Sequence, residues 1–120
     1  MPRIKRGTIT HKRHKKVLKR AQGFWGARSR LFKTAKEAVM RSLRYSYRDR
    51  RVRKREFRRL WITRISAACR MNNIQYNKFM EGLTKAGIAL DRKALAEVAI
   101  NDEKGFAELV DQARAHIQIT

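Results

Sequence analysis

Half of this chain cannot neutralise itself, and that limits what the half can fold into. Residues 1–60 hold 23 Lys and Arg against only Glu37, Asp49 and Glu56, a net charge of +20. Residues 61–120 hold eight Lys and Arg against seven acids, a net charge of +1. Compacting the first half alone would crowd like charges together, a state that a polyanion relieves. The second half carries no such burden and is about the smallest length that can enclose a core unaided. The expected organisation is a basic arm over residues 1–58 followed by a small domain over residues 59–120.

Composition narrows the function classes. A hydrophobic content of 42% is too high for a wholly disordered tail, whereas 34% charged residues with a net charge of +21 points to folding on a partner. The arm is accordingly expected to be largely disordered when free and helical on a polyanion. One cysteine, Cys69, excludes an intramolecular disulfide framework. No apolar run approaches the roughly 18 residues of a membrane span. Basic residues recur from Arg3 through Arg20, so the N-terminus has no apolar signal core, although an organellar transit peptide would also be basic. The chain reads as soluble and intracellular.

Catalysis finds little support. His11 and His14 stand three residues apart, with Cys69 and His116 far away, and no paired-cysteine knuckle completes a zinc set. No Walker-type loop, nucleophile elbow or metalloprotease motif occurs. Neither an enzyme nor a bound cofactor is expected. Cys69 reads as a small buried hydrophobe.

The local signals are helical throughout. Pro2, Gly7, Thr8 and Thr10 suit an extended strap over residues 1–10, with Thr10 capping a helix from His11 to Gln22. Gly23 and Gly26 mark a turn. From Ala27 to Glu81 there is neither glycine nor proline, and helix formers dominate residues 27–59. Leu31, Ala35, Ala38, Val39 and Leu43 make one short apolar face, suited to the first helix or to another protein. Phe57, Leu60, Trp61, Ile65 and Ala68 make a second, expected to open the domain core. Asn72-Asn73 ends this helix, another runs over Tyr76–Lys85 to Gly87, Asp91 caps a third with Leu95, Val98 and Ala99 inward, and Asn101 or Asp102 caps the last, with Phe106, Leu109, Val110 and Ala113 inward. No strand alternation is convincing. The fold class is all-α, a long basic helical N-terminal arm followed by a small globular helical domain.

Arginine spacing supplies the functional signal. Arg41, Arg44, Arg48, Arg51, Arg55 and Arg58 recur at alternating steps of three and four, the seam spacing of a coiled coil with arginine where a protein partner would require leucine. Between residues 41 and 64, 11 Arg and Lys face only Asp49 and Glu56, too few acids for an ordinary solvated charged face. A guanidinium seam of about 25 Å suits phosphates. The candidate nucleic-acid contacts begin in the strap with Arg3, Lys5 and Arg6. They continue along the first helix with His11, Lys12, Arg13, His14, Lys15, Lys16, Lys19 and Arg20, then Arg28, Arg30 and Lys33. Arg50 joins the six seam arginines, and Arg92 with Lys93 stands at a helix start where free N–H groups also attract phosphate. Trp25 can stack on an unpaired base or fill a groove, and equally can pack the turn onto the next helix. Tyr47, beside the seam, can bond a phosphate or a ribose hydroxyl. Trp61 lies at core spacing.

Basic residues spread over sixty positions fit no single short recognition helix, which argues against a helix-turn-helix. Folded RNA, presenting phosphates on several sides, matches such a spread. A membrane-surface helix would need a broad apolar face, and residues 44–56 offer only Tyr45, Tyr47 and Val52. The alternatives are a histone-like, sequence-tolerant DNA-compacting protein and an RNA chaperone.

Six ordered strings then carry a resemblance: Arg3-Ile4-Lys5-Arg6-Gly7, Arg13-His14-Lys15-Lys16-Val17-Leu18, Gly26-Ala27-Arg28-Ser29-Arg30-Leu31, Tyr47-Arg48-Asp49-Arg50-Arg51, Phe57-Arg58-Arg59-Leu60-Trp61-Ile62 and Leu90-Asp91-Arg92-Lys93. Over essentially its whole length the chain resembles bacterial large-subunit ribosomal protein twenty. The resemblance implies a constituent of the large (50S) ribosomal subunit that binds 23S ribosomal RNA directly, through a helical arm threaded into the RNA and a small helical C-terminal domain. It implies neighbouring large-subunit proteins, a cytoplasmic site in the ribosome and a part in early subunit assembly, outside the peptidyl-transfer machinery. Some members also repress their own messenger RNA by binding a site that mimics the ribosomal one. Asn73 stands where the family often has glycine, and Cys69 where it has a small residue such as alanine.

Overall fold

The computed structural model describes residues 5–117. Six helices follow one another: α1 Gly7–Arg20, α2 Ala27–Arg30, α3 Phe32–Met71, α4 Tyr76–Lys85, α5 Arg92–Asn101 and α6 Glu103–His116. Among the described residues there is no strand, as the patterning implied. The chain divides into two compact units, Met1–Arg51 and Val52–Thr120, and α3 belongs to both.

In the first unit α1 starts four residues before the expected His11. The Thr10 hydroxyl donates to the Arg6 carbonyl at 3.4 Å, the i−4 acceptor of a residue inside a helix, so Thr10 does not cap the start. Gly7–Thr10 are therefore helical and not an extended strap; the part of that expectation falling on residues 1–4 lies outside the described residues. The turn is built as its glycines required, with φ of +88° at Gly23 and +59° at Gly26. The helix expected over 27–59 is interrupted once. Leu31 is extended (φ −93°, ψ 124°), closing α2 after four residues, and its carbonyl accepts from the Ala35 N–H at 2.8 Å to begin α3. Downstream of this break Ala35 and Val39 are buried with Ala21, against Val17, Leu18 and Phe24. The first apolar face thus packs on α1 and its turn, while its ends, Leu31 and Leu43, are exposed.

The second unit encloses the larger core. Ile65, Ala68 and Cys69 of α3 meet Phe79 and Leu83 of α4, Leu95 and Ala96 of α5, and Phe106, Val110 and Ala113 of α6. The Phe79 and Phe106 rings lie 5.1 Å apart in a tilted contact. Trp61 packs against this cluster, but Phe57 and Leu60 are exposed and do not open the core as expected, because the neighbouring helices cover α3 only further along. Gly82 lets α4 approach α6: a Cβ there would stand 2.4 Å from the Ala113 carbonyl oxygen.

Helix ends in this unit follow their sequence signals. Asn73 takes φ +53°, the Asn73 N–H donates to Arg70 O at 3.1 Å and the Ile74 N–H to Cys69 O at 3.0 Å. This paired closure satisfies the last carbonyls of α3. Gly87 (φ +73°) closes α4 in the same way, with Gly87 N–H on Thr84 O and Ile88 N–H on Leu83 O. Asp91 accepts from Ala94 N–H at 2.7 Å and Asp102, not Asn101, from Gly105 N–H at 2.9 Å, capping α5 and α6.

Candidate nucleic-acid interface

The surface is set by what α3 does not bury. From Met40 to Leu60 every residue is exposed except Val52, which is half-buried. This length carries ten Arg and Lys against Asp49 and Glu56. At about 100° per residue the six seam arginines fall within an arc of about 100°, and Arg41, Arg44, Arg48, Arg51, Arg55 and Arg58 are all exposed. Arg50 lies off that arc and is exposed too. Lys36, Arg53, Lys54, Arg59 and Arg64 are further exposed cations of α3 that a reading fixed on the three-four seam leaves out. Their signal was the near absence of acids, which spreads cations over about two thirds of the circumference and leaves Asp49 and Glu56 together on the rest.

Among the described residues only Arg48 of the seam has a carboxylate partner. Its Nε donates to Asp49 Oδ1 at 2.7 Å, and this bond holds the guanidinium proton more firmly. Arg51 is braced otherwise: its guanidinium lies over the Tyr47 ring, 3.7 Å from the centroid, and its Nη1 donates to the Tyr47 carbonyl at 3.2 Å. Arg48 lies 4.8 Å from the Tyr45 ring centroid. The exposed Tyr47 therefore supports Arg51 with its face and leaves its hydroxyl at the surface.

In the first unit Lys5, Arg6, His11, Lys12, Arg13, Lys15, Lys16, Lys19 and Arg20 are exposed, as are Arg28, Arg30 and Lys33. Arg3 lies outside the described residues. His14 is half-buried and stacks on Phe32 at 3.7 Å between centroids, so its ring helps hold α1 to α3 instead of standing free among phosphates. Trp25 is 91% exposed and does not pack the turn onto the next helix.

In the second unit Lys93 is exposed, but Arg92 is half-buried and its Nε donates to the Tyr76 hydroxyl at 3.1 Å, tying the start of α5 to that of α4. The Asp91 carboxylate already takes the Ala94 N–H, so the start of α5 offers phosphate fewer free donors than the sequence implied. Cys69 is fully buried, and burial pushes its thiol up to about 11. Among the described residues no group of three or more His, Cys, Asp or Glu could hold a metal ion, and no helix is long and apolar enough to cross a membrane.

Known proteins match this pattern along the chain. The family model described as Ribosomal protein L20 matches residues 3–109. The large ribosomal subunit protein bL20 of Natranaerobius thermophilus is 59% identical over 117 residues, covering 98% of this chain and all of its own length. The protein of that name from Acetivibrio thermocellus is 60% identical over the same share of both chains, and that from Oceanobacillus iheyensis is 57% identical, covering 95% of this chain and 97% of its own. With the match running from the basic arm into the last helix at such identity, the chain belongs to the ribosomal protein L20 family.

Proposed function

We propose that this chain is a structural, non-enzymatic constituent of the bacterial large (50S) ribosomal subunit that binds 23S ribosomal RNA directly and promotes early subunit assembly. Its site of action is the ribosome in the cytoplasm, beside other large-subunit proteins. One observation carries the RNA contact: the length of α3 from Met40 to Leu60 is exposed at every residue but Val52 and bears a net charge of +8. A lone helix of such charge is unfavourable by itself, and phosphates on several sides supply what the protein does not. Residues 1–58 act as the arm that gives affinity, neutralising phosphates of RNA segments distant in sequence. Residues 59–120 act as the domain that gives register. Family resemblance extends the proposal to repression of the chain's own messenger, through a messenger site shaped like the ribosomal one.

The test is competition binding of the full chain at about 0.2 M salt between folded large-subunit ribosomal RNA fragments and random duplex DNA of equal phosphate count. Strong preference for one RNA fragment is expected. Equal binding would favour the histone-like reading. Removing residues 1–58 should weaken binding and flatten its salt dependence while some site preference survives; a domain binding all RNAs equally would contradict the division of labour.

A further inference from the structure

We propose that Trp25 is a stacking platform for one unpaired nucleobase, held open by the turn that carries it; this rests on the RNA-binding reading above and assigns the ligand of one part of that surface. Two features hold the turn that presents the exposed indole. On one side Phe24 packs against the buried cluster of Ala21, Ala35 and Val39, and its N–H donates to Ala21 O at 3.1 Å. On the other, the Trp25 carbonyl accepts from Arg28 N–H at 3.3 Å, and Gly26 reverses the chain with φ +59° and ψ −132°. These contacts hold the backbone on both sides of Trp25 in place. The side chain is 91% exposed, the most exposed large hydrophobic residue among those described.

Surrounding charge selects the class of ligand. No carboxylate occurs in residues 1–36, and Lys19, Arg20, Arg28, Arg30 and Lys33 flank the turn in sequence, all exposed. An exposed apolar ring in a purely cationic setting fits a molecule offering both a flat π-face and negative charge. An unpaired nucleotide offers both, because any base can stack and its phosphate meets the cations. A base paired inside a duplex keeps its faces stacked on its neighbours and offers none.

The chain has two tryptophans, so Trp61→Phe leaves Trp25 as the only indole emitter; an unchanged melting transition of the second unit verifies that background. Titrating this full chain with a single-stranded RNA oligomer should quench emission strongly, and a perfect RNA duplex of equal phosphate count should not. On folded 23S ribosomal RNA, Trp25→Ala should weaken binding about 5- to 150-fold, the range for loss of one stacked base. Trp25→Phe should recover most of that loss. The salt slope should stay unchanged in both, since no cation is removed. Equal quenching by single strand and duplex, a blue shift without quenching, or Trp25→Ala binding within twofold of the parent would each overturn the proposal. Failure of the ribosomal reading shows separately, as equal affinity for ribosomal RNA and duplex DNA.

Discussion

Replacing Arg41, Arg44, Arg48 and Arg51 together by glutamine tests the guanidinium seam most directly. All four are exposed and glutamine is a good helix former, so α3 keeps its conformation while four charges, and the contacts of Arg48 and Arg51 with Tyr45 and Tyr47, are lost. Each phosphate contact contributes about 0.7–0.9 to the slope of log K against log salt concentration. Four contacts therefore contribute about 3 to 4, and between 50 and 200 mM salt the parent should lose about a hundredfold more affinity than the variant. The assay is filter binding to a large-subunit ribosomal RNA fragment across that range. The contributions should be unequal, because Arg48 already meets Asp49 at 2.7 Å whereas the other three have no carboxylate partner among the described residues. Arg44→Gln should thus reduce the slope more than Arg48→Gln, and Asp49→Asn should increase it. A quadruple variant whose slope lies within about one unit of the parent would refute the idea that this face holds phosphates.

Three further outcomes follow from packing and charge. Gly82→Ala should destabilise the second unit by about 1–3 kcal/mol in a thermal melt, because the new Cβ would stand 2.4 Å from the backbone oxygen of Ala113. Stabilisation by about 1 kcal/mol, the ordinary gain for alanine in a helix, would show that the α4–α6 approach is looser than described. Burial raises the Cys69 thiol from an ordinary 9.0 to about 11, so between those values the folded chain keeps a proton that the unfolded chain releases. Its contribution is complete below about pH 9 and is lost as pH rises towards 11, about 2–3 kcal/mol in all; Cys69→Ala should show a shallower alkaline loss of melting temperature than the parent, and equal losses would contradict the burial. The free chain at low salt should show less helix by circular dichroism than its RNA complex, since among the described residues of the first unit only Ala21, Ala35 and Val39 are buried; full helicity without RNA would count against folding on the partner.

What was legible in the sequence depended on whether one residue or a distant contact decided the structure. Asn73, Gly87, Asp91 and Asp102 each act through their own backbone angle or side-chain oxygen, and the ends of α3 and α4 and the starts of α5 and α6 fall where these residues place them. The break at Leu31 has no such marker. Nothing in leucine demands an extended conformation; the break accompanies the packing of Ala35 and Val39 on Ala21, a contact between segments that local reading does not see. The early start of α1 was hidden because Gly7 and Thr10 resemble punctuation, yet Thr10 bonds back to Arg6 from inside the helix. At the candidate interface the six seam arginines are exposed, but so are Arg50, Arg53 and Arg59, because every residue from Met40 to Leu60 except Val52 is. Spacing alone could not show that His14 is taken up by Phe32 or Arg92 by Tyr76, since both partners lie on other helices.

The distribution of cations around α3 bears on how it would engage RNA. The seam covers one side, but Arg50, Arg53 and Lys54 point elsewhere, and all are exposed. A helix resting in one groove of one duplex would need cations only on the face towards it, and neutral residues would suffice on the other sides. Over the roughly 30 Å from Met40 to Leu60 a net charge of +8 leaves one uncompensated charge per ~4 Å, well inside the ~8 Å screening distance at physiological salt. Salt alone therefore does not relieve the repulsion along this helix. Phosphates on several sides would, and one RNA segment cannot supply them. The arrangement favours a helix enclosed by several segments at once, which is the geometry by which a short protein can hold together parts of an RNA that are remote in its sequence.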